Sequence, residues 1–404
     1  MCMTSKMNLR SNEKENHSHD PDEDDVQKLF FRSRSSHLKV NNKNNIMKWG
    51  RLVLVSFLSL VVGFMLATEF SPTNNDTTTT AFHSKFNTIR GDSSYDKDTR
   101  EGHWPRIAWL MTFPNSGTTF TQSMIRSVSQ RDTGTNYKKE GGLDDAKPIY
   151  AESPNGPFWA TSWNVTSEHT LETPTSYVLT KTHCGGRCGT CRLPQYVENP
   201  HSFLLRCRSS TKTDHHYDAS LVHKSVHLIR NPFDNIVSRF HHTRKQYVKN
   251  NETEKLNLFT YSKEGFRNYC SMVNDEFGEI DKEIKRFTGP NILDAMKSIP
   301  CYQDFFRYAQ WHNLAFVTTD DLGIPTHLLH YEDYEENFDE TVNNLLKFLD
   351  LEWRGDNIEF IKGKKYSTYF TLKERKTVAS LMKELSSVKT WNNIEHYFTF
   401  PATI

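Results

Sequence analysis

Short apolar runs alternate with stretches of helical apolar spacing along the chain after residue 104. Apolar runs of strand length occupy residues 107–113, 177–183, 225–230 and 326–331. Strands that alternate with helices indicate a parallel sheet covered by helices on both faces. The pattern therefore predicts one α/β domain, with helices at 118–131, 232–249, 302–319, 334–350 and 372–386, a loop-rich insert at 132–175 and a cysteine-rich loop at 184–222.

An uncharged apolar segment lies near the N-terminus. Leu52–Thr68 contains no charged residue, and the preceding stretch Lys28–Arg51 holds seven Lys and Arg but no Asp or Glu. A membrane-spanning helix needs about 20 apolar residues, and a basic flank stays on the cytosolic side. We therefore expect a single transmembrane signal-anchor at 52–70, with residues 1–51 in the cytosol. The long polar leader is not typical of a cleaved signal peptide, and the polar flanks are not typical of a core helix.

The remaining chain carries features of a luminal protein. Residues 71–103 are rich in Thr, Ser, Asn and Asp and predict an unfolded stem, so the catalytic domain is expected at 104–404. Glycosylation sequons begin at Asn75, Asn164 and Asn251. The formal net charge of +1 does not suggest a nucleic-acid-binding surface. The sequence therefore predicts a single-pass type II protein of the Golgi membrane with a luminal catalytic domain.

Cysteine usage leaves two interpretations. Of the seven cysteines, only Cys2 precedes the anchor, and the others are Cys184, Cys188, Cys191, Cys207, Cys270 and Cys301. The spacing of the first three, together with Cys207, is also found in zinc sites with thiolate ligands. An even number in an oxidising compartment favours disulfides instead, although the spacing does not determine their pairing.

Residues 106–122 combine a strand, a tight turn and the start of a helix. Pro114–Gly117 supplies the turn, and helical spacing begins at Thr118. The free N–H groups and positive dipole end of a helix N-terminus attract anions. The Lys of a nucleotide-triphosphatase P-loop is missing, because no Gly-Lys-Thr follows the turn. The segment predicts either an ordinary strand-to-helix turn or an anion-binding loop formed by Asn115, Ser116, Gly117, Thr118 and Thr119.

A second strand-to-helix junction begins at Arg230. Asn231 is a suitable N-cap and Pro232 suits the first helical position, where its missing N–H costs nothing. Arg230 would then lie at the strand end and Ser238 in the second turn of the helix. A guanidinium can bind phosphate through two hydrogen bonds, and a hydroxyl adds a further donor. We therefore predict a second phosphate site at Arg230 and Ser238.

A third strand ends in Lys181-Thr182-His183. Residues two apart in a strand face the same side, so Lys181 and His183 should point together. A hydroxyl is a poor nucleophile until a base removes its proton, and an ammonium group can neutralise developing negative charge. These residues are candidates for a general base and its cationic partner. The alternative is a histidine at a strand end for structural reasons.

These motifs, in this order, resemble those of sulfotransferases that use 3′-phosphoadenosine 5′-phosphosulfate. The resemblance implies a P-loop-like α/β fold in which the loop Asn115–Thr119 binds the 5′-phosphosulfate. It implies that Arg230 and Ser238 bind the 3′-phosphate of this cosubstrate. It further implies that His183 is the catalytic base, that Lys181 supports it, and that no metal is needed.

A fourth block, two departures and one alternative base complete the comparison. Residues 326–351, a strand ending in Tyr-Glu-Asp and then an amphipathic helix, are also similar to the family and predict a packing role. The family usually carries Lys or Arg where this chain has Asn115, so either Lys181 supplies the charge or turnover is slow. The family's basic segment over the nucleotide has a loose counterpart in Lys362, Lys364 and Lys365. The resemblance implies that these lysines hold the 3′-phosphate, and the alternative is that they are simply solvated. In the aromatic stretch 302–316, His312 is an alternative base.

The expected protein is a sulfotransferase that places sulfate on a hydroxyl, or an amine, of a luminal glycan. Sulfation of a protein tyrosine or a small lipid alcohol is the alternative within this class. Two alternatives come from other classes. A P-loop-type kinase is disfavoured by the missing Gly-Lys-Thr, and a non-catalytic nucleotide- or glycan-binding protein is suggested by Asn115.

Overall fold

The computed structural model describes residues 106–137, 146–151, 171, 174–186, 199–209, 215–276, 285, 289–362 and 366–400. Several predictions fall outside these ranges, namely the tail, anchor and stem, the sequons at Asn75 and Asn164, Cys188, Cys191, Lys364 and Lys365. Among the helices within these ranges, none combines the length and apolar character needed to cross a bilayer.

The described residues form a six-stranded sheet. Its strands are β1 (Arg106–Thr112), β2 (Gly134–Thr135), β3 (Lys147–Pro148), β4 (Tyr177–Thr182), β5 (Val222–Ile229) and β6 (Thr326–His330). Their order is β3-β2-β4-β1-β5-β6, and every neighbouring pair is parallel. The central strand β1 is buried from Ile107 to Thr112, as expected when helices cover both faces. The predicted α/β fold is confirmed.

Helices connect and cover the strands. Those in the first half are α1 (Thr118–Ser129), α2 (Pro200–Cys207), α3 (Pro232–Lys249), α4 (Thr253–Leu258) and α5 (Lys263–Glu276). Those in the second half are α6 (Pro290–Lys297), α7 (Tyr302–Leu322), α8 (Asp333–Glu336), α9 (Phe338–Phe348), α10 (Leu372–Leu385) and α11 (Val388–Ile394).

The sheet separates two apolar clusters because successive side chains of a strand point to opposite faces. Ile107, Trp109 and Met111 of β1 pack with buried residues of α3, α7 and α10. Ala108 and Leu110 pack on the other face with residues of α1 and α9. The loops at the carboxyl ends of β1, β4 and β5 therefore emerge from a rigid base between these two layers.

Some sequence expectations require correction. The insert at 132–175 contributes β2 and β3, which are two residues long each and too short to give a periodic signal. The stretch at 184–222 contains α2, which Asn199 caps and Pro200 begins. The helix expected at 334–350 is broken at Asn337, whose φ of −140° and ψ of 58° are not helical, so α8 and α9 are separate.

Two disulfides occur among the described cysteines. One joins Cys184 to Cys207, and the other joins Cys270 to Cys301. The preference for disulfides over a thiolate zinc site is confirmed for these four residues. Cys184 directly follows His183, so the first disulfide ties the end of β4 to the C-terminus of α2.

Candidate functional site

The candidate anion-binding loop joins β1 to α1. Gly117 is the N-cap of α1 with φ 97°, and its missing side chain leaves the first turn without a side-chain cap. Unpaired N–H groups of a first helical turn favour an anion. Asn115 has φ 69°, a left-handed conformation that Asn tolerates better than most side chains do. The local backbone therefore explains why Asn and Gly fit this turn.

Contacts from α3 hold the loop in place. Asn235 donates from Nδ2 to the carbonyl oxygen of Pro114 at 2.9 Å and to the hydroxyl of Ser116 at 3.0 Å. Ser116 and Asn235 are both fully buried. The sequence did not identify Asn235, because it lies 119 residues from Ser116 and follows no pattern that marks it. The loop is thus fixed by a helix that begins at the second predicted site.

Arg230 connects the two predicted anion sites. Its Nη1 donates to the carbonyl oxygen of Asn115 at 2.8 Å and lies 3.4 Å from the hydroxyl of Ser238. The residue is only 7% exposed, and its buried Nε has no hydrogen-bond partner among the described residues. A buried guanidinium N–H without a partner is costly, so this donor suits an incoming anion. The structure brings Arg230 and Ser238 together as predicted.

Backbone contacts fix the direction of Arg230. The hydroxyl of Tyr308 donates to the carbonyl oxygen of Arg230 at 2.8 Å. The N–H of Asn231 donates to Oε1 of Glu332 at 2.9 Å. Glu332 belongs to the Tyr-Glu-Asp block, so that block does more than pack. The ring of Tyr331 lies 4.7 Å from the Arg230 guanidinium, within range of a cation–π contact.

An aromatic cluster lies beside the loop. The Phe360 ring centroid is 5.2 Å from that of Phe120 and 5.2 Å from that of Tyr331. The Tyr331 ring also covers Gly117, where any side chain would overlap it. Lys362 is exposed and follows Phe360 by two residues, in a segment without helix or strand. The sequence analysis selected Lys362 but missed the rings, because isolated aromatic residues give no distinctive motif.

His183 is held at the carboxyl end of β4 through its backbone and its ring. Its N–H donates to the Tyr137 hydroxyl at 2.8 Å, and its carbonyl oxygen accepts from Nε1 of Trp311 at 2.8 Å. Its Nδ1 lies 2.9 Å from the carbonyl oxygen of Thr112 and 2.8 Å from the Thr112 hydroxyl. A carbonyl oxygen only accepts, so Nδ1 carries the proton. In the neutral ring, Nε2 is then the nitrogen that lacks a proton and carries the lone pair, as a base requires.

Lys181 lies in β4, two residues before His183. It lies opposite Leu110 of β1 and Thr135 of β2 in the sheet register. Its residue is only 2% exposed. Lysine is rarely buried to this extent without a polar or ionic environment. The common orientation of Lys181 and His183 stays a prediction.

His312 occupies a different environment from His183. It is fully buried, and its Nδ1 lies 2.8 Å from Nε2 of His227. Burial lowers the pKa of His227 to about 3 and holds the pKa of His312 well below its usual value. Both rings are therefore neutral core residues, and His312 has no exposed surface with which to contact an acceptor. The geometry favours His183 over His312 as the base.

The protein is thus an α/β protein with two linked candidate anion sites at the carboxyl edge of a parallel sheet. A family model described as sulfotransferase domain matches residues 105–400. The chain therefore belongs to the sulfotransferase family and is a sulfotransferase enzyme. Comparison with curated protein sequences finds no match. Among the described residues, no group of three or more His, Cys, Asp or Glu is placed to hold a metal ion.

Proposed function

We propose that this sulfotransferase transfers a sulfuryl group from 3′-phosphoadenosine 5′-phosphosulfate to a hydroxyl, or an amine, of a luminal glycan. The observation that carries the proposal is the contact between His183 Nδ1 and the Thr112 carbonyl oxygen, 2.9 Å away. That contact directs the proton to Nδ1 and leaves Nε2 as the base. His183 follows a strand adjacent to the one that leads into the anion-binding loop.

Two anion sites of this chain match the two anionic ends of the proposed donor. The loop Asn115–Thr119, with the N-terminus of α1, would hold the 5′-phosphosulfate. Arg230 and Ser238 would hold the 3′-phosphate, and the unpartnered Nε of Arg230 supports this role. The rings of Phe120 and Phe360 are close enough to the loop to stack on a flat base such as adenine.

The chemistry requires one proton transfer and one bond exchange at sulfur. His183 Nε2 accepts the proton of the acceptor as its oxygen bonds to sulfur. The bond between sulfur and the 5′-phosphate oxygen breaks, and adenosine 3′,5′-bisphosphate leaves. Lys181 would supply the positive charge that the loop lacks, because Asn115 is neutral. The helix dipole of α1 adds further stabilisation of negative charge.

The acceptor class and the compartment rest on the sequence. The basic flank before 52–70 supports a type II orientation in the Golgi membrane, with residues 71–103 as the stem and 104–404 in the lumen. The two disulfides and the exposed sequon at Asn251 are compatible with a luminal domain. Secreted glycans are the hydroxyl-rich acceptors of that compartment, and tyrosyl proteins or small alcohols are the alternatives.

The test uses the full-length protein in detergent with the radiolabelled phosphosulfate donor. Acceptors from three classes are offered separately: polysaccharides, tyrosine-containing peptides and small alcohols. We expect label transfer to a polysaccharide, and transfer that is roughly 10- to 150-fold slower by the Arg230→Ala variant at limiting donor. If label is transferred only to the peptide or only to the small alcohol, the proposed acceptor class is wrong but the proposed sulfuryl transfer stands. Absence of transfer with every acceptor would contradict the proposal.

A further inference from the structure

A buried hydroxyl lies between the candidate base and the anion-binding loop. The Thr112 Oγ1 is 2.8 Å from Nδ1 of His183 and 2.8 Å from Oγ1 of Thr118. Thr112 and Thr118 are both fully buried. Thr112 ends β1, Thr118 begins α1, and His183 follows β4. One hydroxyl therefore touches both halves of the site.

The sheet register produces this arrangement. Met111 of β1 pairs with Thr182 of β4, so the next residues, Thr112 and His183, leave the two strands side by side. The turn that follows Thr112 brings the chain back to Thr118 within six residues. The disulfide at Cys184 holds the chain directly after His183. The contact is thus a consequence of rigid elements on both sides.

The tautomer of His183 sets the direction of its hydrogen bond with Thr112. Nδ1 of His183 carries its proton, because the Thr112 carbonyl oxygen can only accept. The Thr112 hydroxyl therefore accepts at the His183 side, and its 2.8 Å contact with Thr118 Oγ1 lets it donate its own proton there. The Thr118 hydroxyl then has its own proton to donate within the first turn of α1. Donors thus point from His183 towards the loop.

We propose that Thr112 is a positioning residue that couples the donor-binding loop to His183. This inference rests on the proposed function. A negative group at the N-terminus of α1 polarises Thr118, and through it Thr112, because linked hydrogen bonds strengthen one another. The Thr112 oxygen then accepts more strongly from Nδ1–H. That interaction stabilises the ring as it becomes positive and keeps Nε2 directed at the acceptor.

The inference predicts that the Thr112 hydroxyl acts on turnover and not on binding. Thr112→Val keeps the branched shape and removes the oxygen, while the backbone carbonyl still orients Nδ1. Loss of one hydrogen bond to a group that becomes charged should lower kcat by roughly 10- to 100-fold. The KM values of donor and acceptor should change by less than about threefold, because Thr112 contacts neither in the proposed arrangement.

Matched variants separate this role from a loss of packing. Thr180→Val removes another fully buried hydroxyl from the same sheet, one that donates to the carbonyl oxygen of Val178 in its own strand. This variant should keep the wild-type kcat. Thr112→Ser should restore most of the activity that Thr112→Val loses. If the valine variant does not fold, Thr112→Ala is compared with Thr112→Ser, since the two differ by one oxygen atom.

The decisive comparison adds Thr112→Val to His183→Ala. If Thr112 acts through His183, the double variant should be no slower than His183→Ala alone. The coupling would be overturned if Thr112→Val lowered kcat by the same factor in the wild type and in His183→Ala. It would also be overturned if Thr112→Val kept the wild-type kcat while His183→Ala was impaired. In both cases His183 would remain the base. A fully active His183→Ala would instead overturn the proposed base, and the coupling with it.

Discussion

Replacement of Arg230 by Ala should selectively weaken recognition of a 3′-phosphate. The side chain makes a 2.8 Å hydrogen bond to the Asn115 carbonyl oxygen, and its buried Nε has no hydrogen-bond partner among the described residues. Charge-assisted hydrogen bonds contribute about 1.5–3 kcal/mol, which corresponds to roughly 10- to 150-fold in Kd. The lost bond to Asn115 is a neutral-acceptor bond within the protein and should loosen the loop for every ligand alike.

The assay therefore compares two ligands by calorimetry. Adenosine 3′,5′-bisphosphate carries the 3′-phosphate, and adenosine 5′-phosphate lacks it, so the ratio of their Kd values isolates the contact of interest. The ratio is the Kd of adenosine 5′-phosphate divided by the Kd of adenosine 3′,5′-bisphosphate, and Arg230→Ala should reduce it by roughly 10- to 150-fold. Arg230→Lys should reduce it less, because Lys keeps the charge without the paired donors. Arg354, an exposed arginine paired with Glu352, provides the control Arg354→Ala, which should leave both Kd values unchanged. An unchanged ratio in Arg230→Ala would remove this residue from the 3′-phosphate site.

Further predictions concern the disulfide, the buried histidines and the topology. Replacing both Cys184 and Cys207 by Ser should reduce kcat more than replacing both Cys270 and Cys301, because Cys184 adjoins the base. The two variants are compared at an equal loss of Tm, and equal losses of kcat would contradict the prediction. His227, with a folded-state pKa of about 3, and His312 stay neutral in the folded protein but become protonated when it unfolds below about pH 6.5. The free energy of unfolding, measured with urea, should therefore be retained above pH 6.5 and fall by up to about 1.4 kcal/mol per histidine for each pH unit below it; a flat profile would refute this. Asn251 should carry a glycan that glycosidase removes only after detergent has opened the microsomes, and a cytosolic C-terminus in protease protection would refute the luminal assignment.

The sequence predicted the elements that carry strong local signals. The strand-to-helix junctions at Thr118 and Pro232 begin where the sequence placed them, because Gly, Asn and Pro constrain the backbone at those points. The two short strands β2 and β3 were missed, since two residues cannot show a hydrophobic period. Local sequence patterns therefore predicted the long strands and helices but not the two short strands at one edge of the sheet.

The candidate site was only partly visible in the sequence. Arg230 and Ser238 were predictable as a pair, because a fixed spacing on one helix start brings them together. Thr112 and Asn235 were not, because their importance comes from contacts with residues 71 and 119 positions away. Such contacts depend on strand order and register, which the sequence pattern does not specify. The structure thus added the residues that hold the site, and the sequence supplied those that define its chemistry.

The central claim is that His183 is the base of sulfuryl transfer, and the most direct measurement is single-turnover transfer by the His183→Ala variant. The enzyme is held with bound radiolabelled phosphosulfate donor and mixed with excess acceptor. We predict that the rate falls by roughly 10²- to 10⁴-fold, because a positioned general base contributes about that much. Donor Kd should stay within about twofold, since the contacts of His183 described above are with Thr112, Tyr137 and Trp311, which lie outside Asn115–Thr119. A wild-type rate in His183→Ala, or a loss explained entirely by weaker donor binding, would contradict the account.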